Sequence, residues 1–201
     1  DRAHLVDIAG HGFGAVEVFA VRDHFDYRDH RAIAALSEWL DDTRLRFHYM
    51  HAPIAGRYVN GTWQGGLSIA ASDDAARRAA VDEASAALAV AESLPYGVLV
   101  LHCGVPVPHA KPGDNHRGAL VRSLEELSPL AHRHGVRLAI EVIPNELSTA
   151  GALVDLLESD MDVDNVGICL DVSHARLMGD VVDAIETCSG HVISTHLHDN
   201  R

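Results

Sequence analysis

Six short runs rich in Val, Ile and Leu alternate along the chain with stretches of helical character, and no other feature narrows the fold as far. The runs are AVEVFA (15–20), RLRFHYMH (44–51), YGVLVLHCG (96–104), VRLAIEVIP (136–144), NVGICLDVS (165–173) and HVISTHLHD (191–199). Near-continuous apolar runs of this length suit strands buried on both faces. Between them, residues 72–95 offer Ser72 as an N-cap, acids in the first turn and Pro95 as a stop. Residues 115–135 place Leu120, Leu124, Leu127 and Leu130 at helical spacing, with Pro129 as a kink point and Gly135 as a C′ glycine. Ser148 can cap a helix over 148–161, and Asp180 one over 179–190 with Gly190 beyond its end. Such alternation predicts a parallel sheet of right-handed βαβ units, either doubly wound or closed as a (β/α)₈ barrel.

A chain of 201 residues that is 47% hydrophobic can bury one sizeable core, so a single domain over 1–201 is expected. The glycines of GHGFG (Gly10 to Gly14) follow a helix-like stretch and precede a strand. That order is the reverse of a dinucleotide fingerprint and reads as a helix C-terminus and turn. No run approaches a transmembrane span or a signal peptide, which sets the expectation of a cytoplasmic protein away from membranes. Cys103, Cys169 and Cys188 lack CxxC spacing and read as small buried side chains. The net charge of −13 repels a phosphate backbone and disfavours nucleic acid as a partner.

Fifteen histidines are many for this length, and their positions carry the meaning. Five successive apolar runs finish in a metal-competent side chain: His51, His102, Glu141, Asp171 (with His174 three residues on) and His196. In a parallel sheet those C-terminal ends gather at one face, where such folds build their sites. Imidazoles and carboxylates converging in an apolar mouth fit a divalent cation, because each alone is a costly buried polar group that the ion compensates. Carboxylate plus imidazole without thiolate suits Mn²⁺, Mg²⁺, Co²⁺ or Zn²⁺. Glu141, Asp171 and His196 are the leading ligands. The remaining histidines in helical or loop contexts, including His116, His134 and His191, are expected to face solvent.

These residues resemble the xylose isomerase-like (β/α)₈ barrels, which comprise sugar phosphate isomerases and epimerases together with the apurinic endonuclease IV type. GFGAVEVFA is similar to an early G-x-x-x-V-E strand, HAPIAG to an H-x-P strand end, and LHCG to a fourth-strand histidine. LAIEVIPN resembles the fifth-strand glutamate, CLDVSHARLMGD a D-x-x-H-x-x-x-x-G segment and THLHDNR an H-x-x-D-N segment. The resemblance implies that Glu141, Asp171 and His196 are metal ligands, with Glu141 also an acid/base. It makes His174 a substrate contact or a further metal ligand, and His51 and His102 zinc ligands in the endonucleases or pocket residues in the isomerases. Asn145, Glu146 and Arg201 would line the sugar site, while His198 and Asp199 would support it.

The E-N-T-A-G and N-D-S-K segments of the endonucleases are replaced here by EVIPNEL and HLHDNR, which favours the isomerases. The family barrel has eight strands in about 250 residues, so the resemblance implies an incomplete barrel. Its first strand would precede Asp1, and its eighth, carrying a last glutamate ligand, would follow Arg201. The expected function is metal-dependent isomerisation or epimerisation of a small sugar or hydroxy-ketone, through an enediolate and carboxylate-mediated proton transfer. The absence of an evident basic phosphate clamp points to an unphosphorylated substrate. A zinc-dependent phosphodiesterase of the abasic-site type and a non-catalytic ligand-binding barrel are the alternatives, and self-association into a homo-oligomer is left open.

Overall fold

The computed structural model describes residues 1–161 and 164–199. Its elements run α1 (Arg2–Gly10), β1 (Ala15–Phe19), α2 (His30–Thr43), β2 (Arg46–His51), β3 (Ala55–Val59), β4 (Thr62–Gly66), α3 (Asp74–Ala89), β5 (Val98–His102) and α4 (Arg117–Arg133). There follow β6 (Arg137–Glu141), α5 (Ala150–Asp155), β7 (Val166–Asp171), α6 (Val172–Met178), α7 (Val181–Cys188) and β8 (Val192–His196). Six strands pair in the order β1-β2-β5-β6-β7-β8, every pairing parallel, while β3 and β4 form a separate antiparallel hairpin. The six curl into the open arc of a TIM-barrel-type sheet with helices on its outside, as the alternation of strands and helices predicts.

Strand alternation sorts the side chains into two layers. Leu99, Leu101, Leu138, Ile140, Ile168 and Leu170 point outward into the main core beneath the helices, joined by Leu88, Leu120, Leu124 and Leu127. Each such aliphatic chain contributes about 1.5–3 kcal/mol on burial. Val98, Val100, Ala139 and Cys169 form a smaller inner layer, packed by Tyr49 and Ile193. The inner layer is short, and the strand-end polar residues continue it at the C-terminal rim.

Local chemistry moved several boundaries. Asp73, not Ser72, caps α3 by accepting from the Ala76 N–H at 2.8 Å; the Ser72 backbone N–H is bonded to the Gly113 carbonyl instead. Thr149, not Ser148, caps α5, because the buried Ser148 hydroxyl donates to the Cys103 carbonyl at 3.1 Å. Asp171 ends β7 early by capping α6, its carboxylate accepting from the His174 N–H at 2.7 Å. α4 runs on through Pro129 and stops before Gly135 at φ 68, the left-handed conformation expected of a C′ glycine. His134 and His191 are half-buried rather than solvent-facing, His134 lying 3.8 Å from Glu92 and His191 hydrogen-bonding Glu158 at 3.2 Å.

The hairpin had no counterpart among the apolar runs, although Asn60 and Gly61, at φ 50 and φ 76, form the kind of two-residue turn that asparagine–glycine favours. It is tied to the loop after β1, where Asp23 accepts from Arg57 Nε at 2.9 Å and from the Tyr58 N–H at 2.8 Å. Among the described residues no helix is long and apolar enough to cross a membrane.

Candidate metal centre

The central strands deliver their polar ends by register alone. His102 lies directly opposite Glu141 across the β5–β6 pair, and Asp171 opposite His196 across β7–β8. The outer strands need a correction, and in each case a bulge supplies it. Val192 packs outward against the helices and Ile193 inward, so strict alternation would send His196 outward. A register shift between Ile168 and Cys169 instead pairs Cys169 with Ser194, so two successive side chains lie inward and His196 is aimed at the rim. Gly167 makes room for this: a Cβ there would lie 2.7 Å from Ile193 Cγ2 and 2.9 Å from the His191 carbonyl oxygen. The shift between β1 and β2 absorbs His48 in the same way, leaving Tyr49 and His51 inward.

Glu141 is the hub. It is 1% exposed, and among the described residues its ion-pair partners are all imidazoles. Its Oε2 lies 3.1 Å from His51 Nε2 and 3.0 Å from His102 Nε2; its Oε1 lies 2.8 Å from His196 Nδ1 and 3.9 Å from His174 Nδ1. Burial pushes the Glu141 carboxyl up, but the hydrogen bonds from His102, His196 and His51 outweigh it and hold the group well below the usual carboxylate range. Burial pushes His102 down, and Glu141 opposes this only in part. Burial acts the same way on His196, yet Cys169, Glu141 and Glu17 together lift it well above the ordinary histidine range.

Asp171 is the second anchor. Its Oδ2 lies 3.0 Å from His198 Nε2, 3.7 Å from His174 Nδ1 and 3.8 Å from His196 Nδ1. His174 Nδ1 also meets the Val142 carbonyl at 3.2 Å, so a proton on Nδ1 leaves Nε2 as the free acceptor. Three sets of donor atoms lie within 4.8 Å of one another: His51, His102 and Glu141; Glu141, Cys169 and His196; Asp171, His174 and His198. The sequence-predicted trio of Glu141, Asp171 and His196 is thus joined through His196 rather than forming one of these tight sets. Donors sharing an ion at bond lengths of about 2.0–2.2 Å lie about 3–3.5 Å apart. The 2.8 and 3.8 Å spacings from His196 Nδ1 to the two carboxylates bracket that range, and the donor set suits a hard or borderline divalent cation. Cys169 joins Glu141 and His196 in one of the three sets, and burial pushes its thiol up.

The other sequence-predicted residues divide. Asn145 is buried with its side chain engaged by loop backbone: Oδ1 accepts from the Leu147 N–H at 2.8 Å, and Nδ2 lies 3.4 Å from the Cys103 and Val105 carbonyl oxygens. Glu146 is exposed on the same loop. Arg201 lies outside the described residues. Glu17 was not among the sequence-derived candidates, yet both its carboxylate oxygens lie 3.1 Å from His196 Nε2. Its signal was a lone acid in an otherwise apolar strand, at the inward phase of the alternation.

The match to known families decides what this rim belongs to. Residues 5–201 match the family described as xylose isomerase-like TIM barrel. The chain belongs to that family. It is 27% identical over 203 residues to the uncharacterized protein MJ1311 of Methanocaldococcus jannaschii, an alignment covering 96% of this chain and 64% of that protein, so the chain spans under two thirds of that relative's length. Its fold is similar to that of a D-tagatose 3-epimerase-like protein, with a TM-score of 0.76 at 24% identity over 98% of this chain and 74% of the other. It is also similar to an AP endonuclease of family 2 from Brucella melitensis, with a TM-score of 0.71 at 21% identity over 96% of this chain and 72% of the other. At these identities the likenesses establish the fold.

Proposed function

We propose that the chain carries the site of a metal-dependent sugar or hydroxy-ketone isomerase or epimerase, with Glu141, Asp171 and His196 holding a divalent ion (Mn²⁺, Mg²⁺, Co²⁺ or Zn²⁺). The observation that carries this reading is Glu141 itself, a carboxylate 1% exposed at a strand C-terminus with four imidazoles around it at 2.8–3.9 Å. When bound, such an ion supplies the positive charge that makes a C–H beside a carbonyl acidic. Glu141 takes up and returns the proton, while His51 and His102 hold its Oε2 in place. His174, with Nδ1 against the Val142 carbonyl, offers Nε2 to a substrate oxygen. Glu146 lines the sugar end, and Asn145 holds the loops that shape it. The substrate is a small unphosphorylated sugar or keto-sugar, and the protein works in the cytoplasm as a single domain.

One observation favours a second reading: the donors fall into three sets rather than one. A zinc-dependent phosphodiesterase acting at abasic sites would use them for several ions, although the net charge of −13 opposes approach to DNA. The test is carbon-bound hydrogen exchange. With Mn²⁺ present, incubation with D-fructose and D-tagatose in D₂O should give deuterium incorporation beside the carbonyl, read by NMR, and lose it in Glu141→Gln. Absence of exchange, with cleavage of abasic DNA and about three zinc per chain, supports the phosphodiesterase. Sugar binding without either reaction supports a non-catalytic barrel.

A further inference from the structure

Glu17 stands apart from the other charged residues of the sheet. It sits in β1 between Val16 and Val18, which pack outward into the helical core, so its own side chain points into the barrel. Among the described residues its ion pair is with His196, and both of its oxygens reach the same nitrogen, Nε2, at 3.1 Å. The opposite nitrogen, Nδ1, faces Glu141 Oε1 at 2.8 Å and Asp171 Oδ2 at 3.8 Å. One imidazole therefore divides its two nitrogens between two sides of the rim.

We propose that Glu17 is a positioning residue for the metal centre: its carboxylate accepts the Nε2–H of His196, which leaves the Nδ1 lone pair for a cation beside Glu141. This rests on the reading of Glu141, Asp171 and His196 as ligands. A neutral histidine has two tautomers, and a carboxylate on one nitrogen selects the form that offers the other. β1 fixes the ring a second time, out of plane. Phe19, the next inward residue, stacks on His51 at 4.2 Å with planes 20° apart, and His51 lies parallel to His196 at 5.9 Å with planes 18° apart. The hydrogen bond sets the ring's rotation and the stack sets its tilt.

The test is Mn²⁺ affinity by calorimetry for the wild type, Glu17→Ala, Glu17→Gln and His196→Ala. Loss of a carboxylate that orients a ligating histidine weakens metal binding about 10–100-fold, and that is the change expected of Glu17→Ala. Glu17→Gln should recover most of the affinity, because its amide carbonyl still accepts the Nε2–H although the charge is gone. Wild-type affinity in Glu17→Ala, with binding lost in His196→Ala, overturns the inference alone. Equal weakness in the Gln and Ala variants overturns it too, since the effect would then be charge and not orientation. Wild-type affinity in His196→Ala overturns the ligand reading and this inference with it. Should Glu17→Ala fail to fold, imidazole ¹⁵N NMR of the Zn²⁺-loaded wild type decides: His196 protonated on Nε2 supports the proposal, and protonated on Nδ1 overturns it.

Discussion

The centre of the sheet and its flanks bring polar residues to the same rim by different means. In β5, β6 and β7 the register is unbroken where it matters: His102 meets Glu141, Leu138 and Ile140 point out, Ala139 points in, and three of these strands' residues need only the period of two. In β2 and β8 the same period would mis-aim His51 and His196, and a bulge in each pairing resets it. The fully buried apolar packing is concentrated in the centre, while the aim of the rim side chains depends on the flanks. Substitutions at the two places should therefore fail differently.

Ile140→Ala, at a fully buried central position, should destabilise the chain by about 2–5 kcal/mol in denaturant unfolding. Val192→Ala, at a half-buried flank position, should cost less than half as much, and equal losses would remove the distinction. Gly167→Ala sharpens it from the other side. The added Cβ meets both Ile193 and the His191 carbonyl, so a cost of about 1–3 kcal/mol is expected together with weakened Mn²⁺ binding, because the displaced bulge no longer aims His196. A variant that loses stability but keeps full metal affinity would show that the bulge does not set the aim.

Acid should act through the centre. Burial depresses His102 below its ordinary value of 6.5, so the unfolded chain binds the proton more readily than the folded one. The stability this represents is present above that ordinary value and is lost as the pH falls through the depressed one. Glu141, also depressed, acts in the same sense at lower pH. His196, lifted above its ordinary value, acts in the opposite sense down to about that value, so metal-free protein should lose stability as the pH falls from 6.5 to 5, and His102→Asn should flatten that slope.

The same contrast explains what could be read from the sequence. His102, Glu141 and Asp171 were legible because each closes an apolar run in which alternation alone decides the facing. The six parallel strands, the Asp180 cap and the Gly135 stop were legible for similarly local reasons. His196 was identified as a strand end, but its inward aim depends on Ile193 being an extra residue, which no local pattern announces. Glu17 was missed because its importance comes from a partner 179 residues away. Cys169 was read as a small buried residue, and its nearness to His196 follows only from the register of β7 and β8. The capping role of Asp171 was hidden, since it shortens a strand in favour of a helix that the apolar run does not suggest.

The central claim is that Glu141 and Asp171 anchor a divalent ion with His196 between them. Calorimetric titration with Mn²⁺ tests it most directly on the wild type, Glu141→Gln and Asp171→Asn. The account predicts saturable binding in the wild type, abolished by Glu141→Gln and strongly weakened by Asp171→Asn. Binding as tight in both variants as in the wild type would contradict it.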